Sequence, residues 1–430
     1  MSAIDYEIRT DGLNEPQGFE PVSVGDLETL RPLPRISIHA FCETAETQAV
    51  IERLQQDRRM SKVNLRVTAG GVGAAANMFT STPTPNLLIL ETATEPSNIL
   101  HELAPLAEVC DPSTKVVLVG RYNDISLYRE LMRNGISEYI VAPVGMAELM
   151  AAISAIFVDP DAEPLGRSLA FLGAKGGTGS STIAHNCAFG ISNLFSTEVI
   201  LADLDLPYGT ANIDFDQDPA QGIAEAVFSP DRLDEVFLDR LLTKCSEHLS
   251  LLAAPSLLDR PYDFDRTAFQ PVIEVLQRSV PVTVLDIPHQ WSDWTRTVLA
   301  EADEVVITAV PDLANLRNTK NLVDSLKRLR PNDKPPHLIL NQVGMPKRPE
   351  ISIADFCEPL EMEAVAIIPF DAPLFGNAAN SGRMISEMDN KSPTAETFSQ
   401  LAHLLTGRAT IKKGKKSGGL GRMMSLLKRK

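Results

Sequence analysis

The stretch from Ser168 to Thr182 constrains this chain more than any other. Ser168-Leu-Ala-Phe-Leu172 is a short apolar run of strand type. It leads into Gly173-Ala-Lys-Gly-Gly-Thr-Gly-Ser-Ser-Thr182 and then into IAHNCAFGISNLF, whose apolar spacing is helical. A strand, a glycine-rich turn and a helix start form an anion-binding arrangement. Glycines let backbone N–H groups converge, and the helix dipole adds positive potential.

Three later segments fit the same architecture. Glu198-Val-Ile-Leu-Ala-Asp-Leu-Asp205 is a buried strand ending in Asp203 and Asp205, and Val280-Pro-Val-Thr-Val-Leu-Asp286-Ile-Pro is another with a terminal carboxylate. Leu338-Ile-Leu-Asn341-Gln342 is a third strand, ending in amides. Acidic residues at strand C-termini sit at the mouth of a parallel sheet, where ligands bind. Any one alone reads as a solvated strand end; the set together points to a ligand site at the mouth of the sheet.

A second α/β unit precedes this one. Candidate strands are Ile36–Phe41, Asn64–Ala69, Leu87–Leu90, Val116–Val119 and Glu138–Val141, with helical stretches such as Ala45–Arg58 and Asp124–Asn134 between them. Gly135 suits a helix C-terminus. Strand–helix alternation predicts a parallel sheet covered on both faces. Five strands in this span, closing with NGISEYIVAPVGMAELMAAI, resemble the response-regulator receiver fold. Receiver chemistry, however, needs an acidic pair after the first strand, a phosphorylated Asp after the third and a Lys before the last Pro. Here the first strand runs into His39, Ala40, Phe41 and Cys42, the third ends in Glu91, and Ala142 precedes Pro143. A degenerate receiver used for docking or dimerisation is the expectation.

Composition limits the function classes. The five cysteines are scattered without a C-x-x-C pair, so neither a disulfide framework nor a zinc site is expected. No apolar stretch reaches the roughly 18 residues of a membrane span. The start, MSAIDYEIRTDGLNEP, has no basic or apolar leader region. A soluble intracellular protein is expected. The net charge is −16, yet residues 407–430 carry nine basic residues and no acidic one, leaving −25 for the remainder. An acidic body will not spread over DNA, and no specific nucleic acid is expected as a partner. The expected organisation is a disordered acidic arm over 1–34, a receiver-like domain over 35–157 and a linker over 158–167. A P-loop domain over 168–406 and a basic tail over 407–430 complete it.

Lys175-Gly-Gly-Thr-Gly179 resembles the deviant Walker A loop, K-G-G-x-G-K-[ST], of the ParA/MinD family of ATPases. Glu301–Lys327 and Ile367–Ile385 look like the corresponding blocks of its CpaE/TadZ-type branch, which assists assembly of Tad (tight-adherence, Flp-type) pili. The resemblance implies an α/β fold in which a receiver-like (flavodoxin-like) domain precedes a ParA/MinD-type parallel-sheet domain. It implies ATP and Mg2+ as cofactors and a homodimer in which Lys175 reaches the partner's nucleotide. Nucleotide contacts fall on Lys175, Gly176, Gly177, Thr178, Gly179, Ser180, Ser181, Thr182 and, for adenine, Asn341. Ser181, Asp203 and Asp286 match the metal-site residues, and Asp205 the residue that positions the attacking water. Ser180 stands where the family has its second lysine. A hydroxyl cannot replace an ammonium at the phosphates, so hydrolysis should be slow. A loop that has lost nucleotide altogether is the other reading.

The implied function is a cytoplasmic factor that marks a cell pole and recruits pilus secretion components or binds a polar landmark. An active partitioning ATPase for DNA or protein cargo and a receiver-type signalling output are the rivals. Trp291 and Trp294 either contact a dimer partner or cap the core, and Arg317 either approaches the nucleotide or partner or forms a surface salt bridge. Cys187 and His185 are expected as core residues, the histidine satisfied. The tail LGRMMSLLKRK could form a short amphipathic helix on anionic membrane or stay a solvated basic segment that docks electrostatically.

Overall fold

A computed structural model describes Leu27 and residues 30–158, 165–258 and 260–408. Contacts divide the chain into two compact units, Met1–Ala162 and Glu163–Lys430.

The first unit holds β1 (Ser37–Cys42), β2 (Asn64–Ala69), β3 (Leu87–Glu91), β4 (Lys115–Gly120) and β5 (Glu138–Val141). They form one parallel sheet in the order β2-β1-β3-β4-β5. Successive β3 side chains point to opposite faces. Leu87 and Ile89 pack with Ile51, Leu54 and Ile153, while Leu88 and Leu90 pack with Phe79, Leu103 and Leu131. A strand buried on both faces needs an unbroken apolar run, which is what LLIL supplies. Asp124 caps the helix Ile125–Arg133 by accepting the Ser126 and Leu127 N–H groups, and Gly135 follows it at φ +91°.

Two expectations change here. The helix expected over Ala45–Arg58 ends at Gln55, because the Asp57 carboxylate accepts the Arg59 N–H and starts a separate 3-10 turn, Arg58–Met60. The arm expected over 1–34 is ordered at its inner end, where Leu27 and Leu33 are buried in the core.

The second unit contains β6 (Arg167–Gly173), β7 (Val199–Asp203), β8 (Thr243–Lys244), β9 (Leu249–Leu252), β10 (Val282–Ile287), β11 (Glu304–Ala309), β12 (His337–Val343) and β13 (Ala364–Pro369). Their order is β13-β12-β11-β6-β10-β7-β9-β8, parallel except for the β8–β9 pair. Leu169 and Phe171 of β6 face the helices Ser180–Phe195 and Pro393–Leu405; Ala170 and Leu172 face Gln270–Ser279, Asp293–Glu301 and Leu313–Leu329. The strand expected from Glu198 to Asp205 stops at Asp203, whose own carboxylate accepts the Asp205 N–H and turns the chain out of the sheet. β6 lies between β10 and β11, neither its neighbour in sequence, so the loop that follows it opens at the mouth of the sheet.

Among the described residues no helix is long and apolar enough to cross a membrane. The tail expected over 407–430 lies outside the described residues apart from Gly407 and Arg408.

Candidate functional site

The phosphate loop runs from the end of β6 to the helix Ser180–Phe195. Gly177 and Gly179 take φ of +81° and +82°, which an L side chain rarely adopts. A Cβ on Gly179 would also meet Asn341 Nδ2 at 2.6 Å. Side chains from later strands and helices anchor the loop. Asn341 donates to the Thr178 carbonyl at 2.8 Å, and Gln342 to the Gly177 carbonyl at 3.0 Å. His289 donates through Nδ1 to the Gly173 carbonyl at 2.9 Å, and Asn318 to the Ala174 carbonyl at 2.9 Å. These four donors fix carbonyls outward and preorganise the loop's remaining N–H groups for an anion.

Thr178 and Ser180 are buried, while Lys175, Gly176 and Gly177 are exposed. Ser180 Oγ has no hydrogen-bond partner although the residue is only 9 % exposed. Lys175 sits near Asp312, the N-cap of Leu313–Leu329. Burial pushes the Asp312 carboxyl up, but the N–H groups of Asn315 and the charge of Lys175 hold it below its usual range.

Asp203 and Asp286 lie at the C-terminal ends of β7 and β10. Asp203 and Asp286 occupy one rung of the neighbouring strands β7 and β10, both buried. Asp203 accepts the Asp205 N–H through Oδ1 at 3.1 Å and the Ala211 N–H through Oδ2 at 3.2 Å. Burial, and then the charge of Asp286, raises its carboxyl above the usual range. Burial also raises Asp205, against the Tyr208 N–H that it accepts. Asp286 Oδ1 is buried without a partner, whereas Oδ2 faces His185.

Magnesium is the metal that the fold implies. Among the described residues no three His, Cys, Asp or Glu side chains are grouped to hold a metal by themselves. Magnesium does not need such a group, because it binds through one or two carboxylates, waters and substrate phosphates. The orphaned Asp286 Oδ1 and the Ser181 hydroxyl on the first turn of the helix fit that pattern. Asp203, whose oxygens each accept one backbone N–H, stands on the same rung as Asp286. When bound, the ion neutralises phosphate charge.

Asn341 also lines a pocket of about 190 Å³ with Gly179, Thr182, Phe370, Asp371 and Phe375. Its size and its aromatic wall beside an amide suit a flat heterocycle next to the phosphate loop. Trp294 is 3 % exposed and packs on Phe269 at 4.4 Å between ring centroids, so it caps the core. Trp291 is 46 % exposed and lines a second cavity with Ala174, His289 and Asn318. Arg317 hydrogen-bonds to Asn318 Oδ1, and Cys187 is a core residue whose thiol burial pushes up. His289, Asn318, Gln342 and Asp214 carry contacts that the sequence motifs do not assign. His289 lies three residues after Asp286, and Asn318 one after Arg317, so proximity to the motifs was their only signal.

No family model matches the chain. It is 49 % identical to the pilus assembly protein CpaE of Caulobacter crescentus, whose structure spans 30 % of this chain and 98 % of that one at a TM-score of 0.29. It is 24 % identical to a ParA family ATPase of Chlorobium tepidum, over 55 % of this chain and 98 % of that one, with a TM-score of 0.50. It is 23 % identical over 257 residues to the septum site-determining protein MinD of Synechocystis, covering 57 % of this chain and 91 % of MinD.

The second unit, with its glycine-rich loop and strand-end carboxylates, is a P-loop domain of the ParA/MinD type. On the strength of the 49 % identity, the chain belongs to the CpaE family of pilus assembly proteins.

Proposed function

We propose that this chain is an assembly and localisation factor for Tad (Flp) pili, a nucleotide-holding member of its family that hydrolyses ATP weakly. Mg-ATP serves mainly as a structural ligand that closes a homodimer, and the dimer recruits pilus secretion components at a cell pole. The observation that carries this reading is the phosphate loop, held open for an anion by four side-chain anchors while Ser180 replaces the charge that phosphoryl transfer uses. Lys175, Tyr208 and Trp291 are exposed on the loops that follow β6, β7 and β10, and Leu313 is exposed at the start of the helix after β11. Apolar groups in such a position suit a protein partner, here a second copy. Polar localisation follows from recruitment, and the 408–430 tail adds contact with the anionic membrane surface.

Ser180 and the −25 charge outside the tail argue against a partitioning ATPase acting on DNA. Glu91 argues against a phosphorylated receiver. Its carboxylate accepts from Glu43 N, Thr44 N, Thr44 Oγ1 and Thr47 Oγ1 at 2.7–2.9 Å and is buried. It pins the start of a helix.

Cells lacking the gene should lose surface pili, and a Lys175→Ala copy should fail to restore them. Full piliation in the deletion strain contradicts the assignment.

A further inference from the structure

β13 is the outermost strand of the second sheet, and among the described residues no strand pairs with its outer side. An edge of that kind offers a row of unpaired N–H and C=O groups, which proteins usually guard with lysine or proline. Here Pro369 stands only at the end of the strand, while Val365 and Ile367 are 40 % and 44 % exposed. The edge is also acidic. Between Arg348 and Arg383 the chain has six acidic residues and no basic one. Glu358, Glu361 and Glu363, just ahead of β13, are all exposed.

The chain leaves the second unit close to this edge. β13 runs parallel to β12, so it starts at the end of the sheet away from the phosphate loop. The helix Pro393–Leu405 packs on β13, with Phe398 and Leu401 against Ala366 and Ile368, and finishes at that same end. A Cβ on Gly407 would come within 3.4 Å of Arg167, the first residue of β6, and Arg408 lies 4.4 Å over the Phe195 ring. Residues 409–430 follow, outside the described residues. They hold eight basic side chains, no acidic one, and the apolar Leu420, Met423, Met424 and Leu427. Three strand spacings separate β6 from β13, about 14 Å. Four extended residues cover about 13 Å, which brings Lys412, Lys413, Lys415 and Lys416 within reach of the three glutamates.

We propose that the outer edge of β13 is the docking site of the chain's own basic segment, residues 409–430, held by Glu358, Glu361 and Glu363 and covering Val365 and Ile367. The tether favours this occupant. A segment joined by a few residues meets its site at millimolar effective concentration, so weak surface ion pairs suffice. A second copy would set one acidic edge against another. An anionic membrane draws on the same lysines, so edge and membrane compete for the segment.

Hydrogen–deuterium exchange of the full chain, read by mass spectrometry on peptides covering 361–370, is the test. E358K/E361K/E363K should speed exchange there by at least about fivefold, as should K412E/K413E/K415E/K416E, while peptides of β6 and β10 stay unchanged. The chain carrying both sets restores the pairing with its signs exchanged and should return to within about twofold of the wild type. None of these rates should vary with protein concentration, because the contact forms within one chain.

Unchanged exchange in either set overturns the inference, and so does a combined chain no better protected than its parents. Protection of β13 that rises with protein concentration gives the edge to a second copy and overturns it as well. Wild type bound to phosphatidylglycerol vesicles should exchange faster at 361–370; vesicle-bound protein with β13 still protected also refutes the docking.

Discussion

Asp286 on β10 stands opposite Asp203 on β7, so two buried carboxylates share one rung at the mouth of the sheet. Parallel strands with the same polarity bring their C-terminal acids to one edge, which is how a chain gathers residues 83 positions apart beside a single loop. The phosphate loop follows β6, which pairs with β10 in register at Asp286 and Phe171. Loop and acids are therefore fixed by the same backbone ladder.

Replacing Lys175 with Ala should leave the fold unchanged, because the side chain is exposed and anchors nothing in the core. ATP-linked dimerisation should weaken at least about tenfold, as expected when a charge is removed from a desolvated phosphate contact. Light scattering with and without ATP measures this. An unchanged dimer population would remove the role assigned to Lys175.

Ser180→Lys restores the missing ammonium at a position whose hydroxyl has no partner to lose. Turnover of ATP should rise by at least about tenfold, within the range of one electrostatic contact to a transition state. Steady-state phosphate release reads the change. Wild-type turnover as fast as that of the variant would contradict the importance given to this residue.

The two tryptophans should separate cleanly. Trp294→Ala empties a core position against Phe269 and should cost about 3–5 kcal/mol in denaturant unfolding. Trp291→Ala should change stability by less than about 0.5 kcal/mol. It should instead lower the ATP-linked dimer fraction, and a large loss of stability would place Trp291 in the core.

Glu91→Ala removes a buried carboxylate that four donors share. The four contacts are not additive, and a loss of about 3 kcal/mol is expected for the first unit. Incubation of the wild type with acetyl phosphate should add no mass by mass spectrometry. A phosphorylated species would revive a signalling role.

Much of this arrangement was visible in the residues. LLIL and VTVLD read as strands because burial on both faces leaves no polar alternation to confuse them. Asp124 and Gly135 mark their helix by capping chemistry alone. Strand ends were harder. Asp203 stops β7 two residues early by hydrogen-bonding its own chain, and Asp57 breaks a helix in the same way. In the site, the glycine loop and its acids were legible as an ordered set. His185 was expected to be buried and satisfied, but its partners were not: Asp214 comes 29 residues later and Asp286 follows on another strand. The i, i+4 spacing from Ser181 was the available clue, since it places both residues on one helix face. Asn341 was read as a base contact, whereas the fold also gives its amide to the Thr178 carbonyl. Such tertiary anchors leave no periodic trace in a sequence.

On the proposed reading, main-chain N–H groups, Lys175 and a magnesium ion beside the strand-end acids grip a nucleotide although the usual lysine is a serine. Calorimetry with ATP in magnesium, paired with the mass in solution, tests it most directly. Saturable binding near one nucleotide per chain and a shift toward twice the monomer mass of 46.9 kDa are expected. No heat of binding at millimolar ATP, with an unchanged mass, would contradict it.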